Sequence, residues 1–407
     1  WSLFQTHSQT FAGVYMDKKR VVIIGGGASG LMASIAAAEN GAAVTILEQN
    51  EKPGKKICAT GNGKCNFTNL QKQTDAYRSD NPGFWEEVLN QFSVENTVDF
   101  FTELGLYPVN KNNGYLYPHS GQASSVAEVL CMKARSLGVK IKTNEQVKSI
   151  SKEKNIWKIH TQGWTYEGYA VILANGSRAS SISGSDGSGY EIAAALGHSV
   201  ITPLPALTAL KCKNTGFSGW AGVRTEGKIS LYADGKKIAE ETGELQLTDY
   251  GVSGIPVFQI SRYAIRAFWK GQKTELRLNF LPEFSREQLA AFLEKRKQDS
   301  PYKGKKEFFT GLFPDKLAKV LLASKNLEEA IYSYPLKVTG YQPFEQAQVC
   351  SGGVDTREVD AKTLESRLIP GLYFAGELLD VDGKCGGYNL QWAWSSGYAA
   401  GMNAGRS

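Results

Sequence analysis

The stretch "VVIIGGGASGLMASIAAAENGAAVTILEQN", residues 21–50, decides the fold. Val21–Ile24 is apolar and β-branched, the pattern of a strand buried on both faces of a parallel sheet. Gly25, Gly27 and Gly30 follow in GxGxxG spacing. The first glycine permits the tight turn, the second lets a pyrophosphate approach the backbone, and the third lets helix and strand pack closely. A helix is predicted from Ala28 to Asn40, with Ala28 and Ser29 in its first turn. Its N-terminus offers free N–H groups and a positive dipole end. Gly41 ends it, and "AAVTILE" returns as a second strand closing on Glu48. That acid stands 18 residues beyond Gly30, where a carboxylate can accept hydrogen bonds from a ribose diol. An ADP moiety is the expected ligand, with NAD and FAD both open at this point.

Three later stretches bear on the choice. "EKPGKKICATGNGKCNFTN", residues 51–69, is a basic glycine loop whose successive N–H groups can cradle an anion. In residues 169–198 the strand Ala170–Ala174 ends in Asn175-Gly176, and a Gly/Ser-rich loop then feeds another helix. In residues 370–405 the strand Leu372–Ala375 runs into Gly376-Glu377, and Gly383, Gly386 and Gly387 lead into a helix of small residues. Three strand ends thus arrive at one sheet edge. A nicotinamide dehydrogenase has no need of a cofactor strand near its C-terminus. FAD does, because it is long and crosses the whole edge.

These segments, with "YLYPHSGQASSVAEVL", "GSDGSGYEIAAALGH" and "GELQLTDYGVSGIPVFQIS", give the chain a resemblance to the HI0933-like (YhiN- or BaiN-type) flavoproteins. That family lies within the glutathione-reductase-like superfamily. The resemblance spans residues 21–405; "TGNGKCNFTN" and "GGYNLQWAWSSG" are its most specific parts. It implies an α/β fold: a discontinuous Rossmann-like FAD-binding domain of the GR2 type with an inserted α+β domain, part β-barrel-like and part helical. It implies noncovalent FAD contacts at Gly25, Gly27, Ala28, Ser29, Gly30 and Glu48, and in the loop at Lys55, Lys56, Thr60, Gly61, Gly63 and Asn66. Val147, in "EQVKSI", would present backbone groups to adenine. Ala174, Gly176, Gly376, Glu377, Gly386, Gly387, Tyr388, Asn389 and Gln391 would surround the remainder. Two positions depart from the superfamily. Ala174-Asn175-Gly176 stands for the usual Ala-Thr-Gly, and Gly376-Glu377 for the usual Gly-Asp, which leaves Glu377 or Asp380 to take the ribityl hydroxyl.

The FAD domain is expected over 16–197 and 345–407, and a substrate or cap domain over 198–344. Within the latter, "GKISLYADGKKIAEE" reads as a hairpin turning at Asp234-Gly235. "SREQLAAFLEKRKQ" reads as a helix capped by Ser285 with Glu287 close behind, and "KKEFFTGLFPDKLAKVLLAS" as a helix interrupted near Pro314. Residues 1–15 read as a non-native extension, with Met16 as the natural start.

The 407 residues carry a net charge of +6 and 42% hydrophobic residues, an ordinary globular composition. No run of about 18 apolar residues can span a membrane, and the opening residues fail as a signal peptide. Six cysteines without a CxxC pair read as reduced thiols in a cytoplasmic protein; Cys58, Cys65 and Cys385 are expected to be buried and inert. Four histidines in no HExxH or Cys/His cluster speak against a metal site. His119 and His198 read as packing residues, Trp392 and Trp394 as core.

The expected activity is hydride transfer between flavin N5 and a small organic substrate, with O2 or NAD(P) as second substrate. Family members resemble amine oxidases in some cases and nicotinamide-dependent enone reductases in others. No second GxGxxG unit exists, so NAD(P)H would dock only transiently. No catalytic residue is assigned. Two rivals stand beside this reading: a flavoenzyme modifying tRNA, with "KRKQDSPYKGKK" (295–306) as its candidate basic patch, and a non-catalytic redox module.

Overall fold

The computed structural model describes residues 18–71, 73–111, 114–180, 184–213 and 217–406; the proposed extension lies outside them. A five-stranded sheet forms its centre, ordered Leu372–Phe374, Ala170–Leu173, Arg20–Ile24, Ala43–Leu47 and Lys140–Lys142. Every neighbouring pair is parallel, with Ile23 in register with Ile172 and Ile46. The apolar run Val21–Ile24 is buried throughout, as a strand with helices on both faces must be.

The first helix, Ala28–Glu39, is nearly all small residues and is buried along most of its length. Against it lies the terminal helix, Tyr388–Gly405. The terminal helix presents Gly397, Gly401 and Gly405 at four-residue spacing. A methyl group on Gly397 would lie 2.5 Å from the carbonyl oxygen of Ser29, one on Gly401 2.3 Å from that of Ala33, and one on Gly405 2.9 Å from that of Ala37. The two backbones therefore touch directly, and only glycine fits the seam. Trp392 and Trp394 flank it, fully buried. Their indole N–H groups donate to Gly376 O at 2.9 Å and Phe67 O at 2.8 Å, which is how two large residues two apart on a helix can both be core.

Beyond the sheet, Val147–Glu153, Ile156–Thr161 and Thr165–Gly168 form an antiparallel three-strand layer. Strands Val200–Ala206 and Val349–Val354 pair antiparallel. Between them in sequence a six-stranded barrel closes on itself, ordered Leu210–Lys213, Gly251–Ser253, Lys236–Leu247, Arg224–Ala233, Thr274–Asn279 and Tyr334–Tyr341. The barrel helix Ile255–Trp269 packs Val257, Ile260, Ala264 and Ile265 into its core. The hairpin turns at Asp234 and Gly235, both with positive φ, the type I′ geometry that matches strand twist. Ser285 caps Arg286–Asp299 in a capping box, but its reciprocal partner is Gln288 rather than Glu287.

One element differs from expectation. Helix forms only over Asp315–Leu322, and residues 305–313 make turns. Pro314 disfavours helical geometry at Phe313. The Arg296 guanidinium also takes the carbonyls of Phe308 and Thr310 at 2.9 and 2.8 Å, leaving them outside any helical ladder. No described helix is long and apolar enough to cross a membrane.

His198 is a packing residue: buried, with Nδ1 3.1 Å from Glu358 and Nε2 2.8 Å from Ser366 Oγ. Desolvation lowers its pKa more than Glu358 raises it. The folded state therefore holds the neutral ring, and its contribution is present above the unfolded value of about 6.5 and lost as pH falls below it. Chemical denaturation should show wild type losing more stability than His198→Gln between pH 7.5 and 5.5; equal losses would refute this. Gly401→Ala should cost about 1–3 kcal/mol by overpacking the helix seam, read as a lower Tm. Gly163→Ala, where a methyl group meets open space, should stay near wild type.

Candidate functional site

A cavity of about 660 Å³ runs along the C-terminal edge of the parallel sheet. The turn between the first strand and first helix forms one end. Gly25 has φ +105°, and a methyl group there would lie 2.4 Å from the carbonyl oxygen of Ala174; one on Gly30 would lie 1.9 Å from that of Gly25. Gly27, by contrast, faces open space. Two glycines are thus required by protein contacts and one leaves room for a ligand, the division of roles expected of a phosphate turn.

Glu48 lies at the end of the second strand, buried and lining the cavity. Its carboxylate accepts from Gly26 N at 2.7 Å and from Asn50 N and Nδ2, each at 2.7 Å. These donors fix the group on the cavity wall. Glu377, on the turn after strand Leu372–Phe374, is held by Lys56 Nζ at 2.6 Å and Ser177 Oγ at 3.0 Å. Two acceptors stand open: Asn66 Oδ1 and Asn175 Oδ1 are buried without a partner among the described residues, and both residues line the cavity. A buried amide oxygen left unpaired costs about 1–3 kcal/mol, so these two atoms point to a ligand that donates hydrogen bonds.

Of the residues singled out from the sequence, Gly25, Gly27, Ala28, Ser29, Glu48, Lys55, Lys56, Thr60, Gly61, Asn66, Val147, Ala174, Gly176, Glu377, Gly386, Gly387 and Asn389 line this cavity. The others do not. Gly30 and Gly376 serve close packing behind it, Gly376 against Ser29 Oγ. Gly63 is exposed on the outer side of its loop. Tyr388 is buried, donating from its hydroxyl to Gln71 O at 3.1 Å. Gln391 is a core residue: it accepts from Thr68 Oγ1 at 2.6 Å and donates to Ser395 Oγ and Phe92 O. Asp380 turns away, accepting from Asp80 N at 2.7 Å and facing Arg266, so of the two acids only Glu377 reaches the cavity. Cys58 is exposed rather than buried, whereas Cys65 is buried and its thiol pushed up to about 12 by desolvation. Cys385 lines the cavity, and burial raises it likewise to about 12.

Sequence reasoning missed the apolar end, where Tyr115, Tyr117, Leu207, Ile255, Phe258 and Val349 face the cavity. Only the alternation in "YLYP" signalled part of it, since residues two apart on a strand share a face. Leu207, Ile255 and Phe258 reach the site from the barrel side through chain topology that no local pattern encodes.

The profile of the HI0933-like protein Rossmann domain matches residues 19–403. The chain belongs to the HI0933-like family. It is 44% identical over 404 residues to the 3-dehydro-bile acid delta(4,6)-reductase of Clostridium scindens, covering 95% of this chain and 98% of that protein. It is 31% identical to the ribosomal RNA dihydrouridine synthase of Haemophilus influenzae, covering 95% and 98%. Among solved structures, a 3-ketosteroid-delta4-(5alpha)-dehydrogenase from Rhodococcus jostii superimposes with a TM-score of 0.49 at 16% identity, covering 97% and 99%.

In this HI0933-like chain the barrel joins the sheet half through buried charge. Arg262 Nε donates to Asp382 Oδ1 at 2.8 Å, and both residues are buried. Arg266 lies 3.1 Å from Asp80 and 3.7 Å from Asp380. Asp382 precedes the glycines that open the terminal helix, so this joint fixes one wall of the cavity. Arg262→Met should cost about 3–5 kcal/mol, because the buried Asp382 loses its hydrogen-bonded partner. Arg262→Met with Asp382→Leu should recover most of that in urea unfolding; a double variant no better than the single would count against the pair.

Proposed function

We propose that this protein is a flavoprotein oxidoreductase that binds FAD noncovalently and reduces a carbon–carbon double bond conjugated to a carbonyl. The observation that carries the reading is the convergence of two glycine-opened helix N-termini, from opposite ends of the chain, on one elongated cavity holding a fixed carboxylate and two unpaired amide oxygens. A single nucleotide would not need both ends.

The residues fit the cofactor. Gly27, Ala28 and Ser29 would meet the pyrophosphate at the N-terminus of the first helix. Glu48 would accept from the adenosine ribose, and Val147 would lie beside adenine. Asn66 and Asn175 would accept from donors of the bound group, Glu377 from the ribityl hydroxyls. Gly386 and Gly387, at the N-terminus of the terminal helix, would favour developing negative charge. Lys56, pinned by Glu377 at 2.6 Å, would stand on the cavity wall as a donor to the bound group. Leu207, Phe258 and Val349 exclude water from the other end. When bound, FAD supplies hydride transfer at N5, with NAD(P)H or another two-electron partner closing the cycle. Residues 16–197 and 345–407 then act as the cofactor-holding half and 198–344 as the cap.

The substrate class is drawn from the relatives. The bile-acid reductase and the dihydrouridine synthase are named for different molecules, yet both names describe saturation of a double bond conjugated to a carbonyl. The 44% relative and the apolar cavity end favour a small multi-ring ketone. The RNA reading keeps its support in the dihydrouridine synthase, and would place the product in uracil.

Purified protein should take up FAD with the absorbance of an oxidised flavin. Glu48→Ala should weaken uptake about tenfold to a hundredfold, the loss of one or two hydrogen bonds to a charged group. Anaerobic turnover with NADPH or NADH should reduce 4-androstene-3,17-dione, with unmodified ribosomal RNA as the competing arm. Colourless protein that refuses FAD would end the reading, and turnover of RNA alone would select the second.

A further inference from the structure

We propose that Tyr115 is the proton donor of this reduction, its phenolic hydroxyl protonating the α carbon of the conjugated double bond as hydride adds to the β carbon. The proposal rests on the reductase reading above and deepens it.

Such a reduction needs a proton as well as a hydride, and the donor must sit where the substrate carbon can reach it. Tyr115 opens the strand Tyr115–Pro118, which is fixed antiparallel to Thr68–Asn69 and Pro108–Lys111. Its side chain lines the cavity beside the start of the terminal helix: a methyl group on Gly386 would lie 2.9 Å from its ring and 3.2 Å from its hydroxyl oxygen. That hydroxyl makes no hydrogen bond to any described residue. A phenol half-buried at a cavity with no protein partner is placed to serve a ligand.

The surroundings match. Leu207, Ile255, Phe258 and Val349 line the same cavity. Leu207 holds φ +50° and is almost fully buried, a strained backbone of the kind maintained at ligand walls. Of the other titratable groups on the cavity, which include Lys55, Glu145 and Glu345, several are engaged or poorly suited. Glu48 is tied to Gly26 and Asn50, and Lys56 to Glu377. The Tyr117 ring lies under Lys111 Nζ at 5.7 Å and beside Gly61. Among the described residues Cys385 Sγ meets Gln348 Oε1 at 4.0 Å, and a thiol is the weaker hydrogen-bond donor. Desolvation raises the Tyr115 pKa above its ordinary value, which keeps the proton on the ring at neutral pH. An enolate carbon is more basic still, so transfer to it runs downhill.

The step balances. The hydride, from the reduced flavin, brings two electrons and forms the C–H bond at the β carbon. The π pair of the double bond takes the Tyr115 proton at the α carbon as the O–H bond breaks. The phenolate recovers a proton from water through its exposed side, and a nicotinamide donor restores the reduced flavin.

The test uses FAD-loaded wild type, Tyr115→Phe, Tyr117→Phe and Tyr302→Phe, reduced anaerobically and mixed with 4-androstene-3,17-dione in D2O. Flavin reoxidation is followed by absorbance, and the deuterium at the product α carbon by NMR. Tyr115→Phe should load FAD with the wild-type spectrum and reoxidise at least about 100-fold more slowly, the scale of general acid catalysis. It should spread deuterium over both faces of the α carbon, where wild type labels one. Tyr302→Phe, exposed and outside the cavity, should stay within about threefold of wild type, and Tyr117→Phe, on the cavity wall, should keep one-face labelling whatever its rate. One-face labelling with near-wild-type rates in Tyr115→Phe overturns the proposal while sparing the reductase reading, as does a loss of one-face labelling confined to Tyr117→Phe. Failure of Tyr115→Phe to bind FAD would make it a scaffold residue and also overturn it. Wild type that the enone cannot reoxidise removes both.

Discussion

The direct backbone contact between the first and terminal helices is the constraint on which the rest depends. Both helices begin at the same sheet edge, and both must aim their N-termini at one cavity. Side chains larger than hydrogen at 397, 401 or 405 would separate the axes, because the facing carbonyls of Ser29, Ala33 and Ala37 stand within 3 Å of where a β carbon would lie. Separation of even an ångström would move the turn at 25–27 relative to the turn at 386–387. The close seam therefore does for the site what a disulfide does elsewhere, holding two distant parts of the chain in one geometry, but by shape alone. Trp392 and Trp394 complete it by tying the terminal helix to Gly376 and Phe67 through hydrogen bonds that only a fixed helix rotation can make.

Much of this was legible in order of sequence. The GxGxxG turn, the acid at the second strand end and the late glycine pair are local patterns, each set by a backbone requirement that few residues satisfy. The strand ends at 170–174 and 372–375 were legible because buried parallel strands are short, apolar and β-branched or aromatic. What escaped was decided by side-chain direction. Asp380 and Glu377 are three apart on an irregular turn, and nothing in their spacing tells which faces the cavity; the choice follows from Arg266, Asp80 and Lys56, which arrive from distant segments. Gln391 and Tyr388 lie in the most family-specific stretch, yet their polar atoms are spent on Thr68, Phe92 and Gln71 inside the core. A specific motif can thus be specific for packing. The exposure of Cys58 beside the buried Cys65 is a further case: the left-handed residues at 61 and 62 reverse the chain between them.

The apolar end of the cavity was illegible for a different reason. Its residues come from Leu207 just after strand Val200–Ala206, from strand Val349–Val354, from the barrel helix, and from the strand Tyr115–Pro118. Each would read as core in its own segment. They become a wall only because the barrel is spliced into the sheet half at two strands that pair with one another. The Arg262–Asp382 pair and its neighbours then fix the angle of that splice with buried charge, where an apolar joint would leave it free to slide.

Order along the chain has a consequence for biogenesis. The sheet places the strand Leu372–Phe374 beside Ala170–Leu173, itself beside Arg20–Ile24, so contacts spanning almost the whole polypeptide must close before the ligand groove exists. On the ribosome, the barrel can condense while the sheet half still lacks its last strand and helix, and the apolar flank awaiting them stays bare until they emerge. Long-range closures of this kind are slow and expose sticky surface. Nascent chains of this architecture are therefore most in need of chaperone shelter until Leu372–Phe374 and the helix Tyr388–Gly405 have emerged, and a ligand of the groove can act only after that, as the last component to lock the assembly.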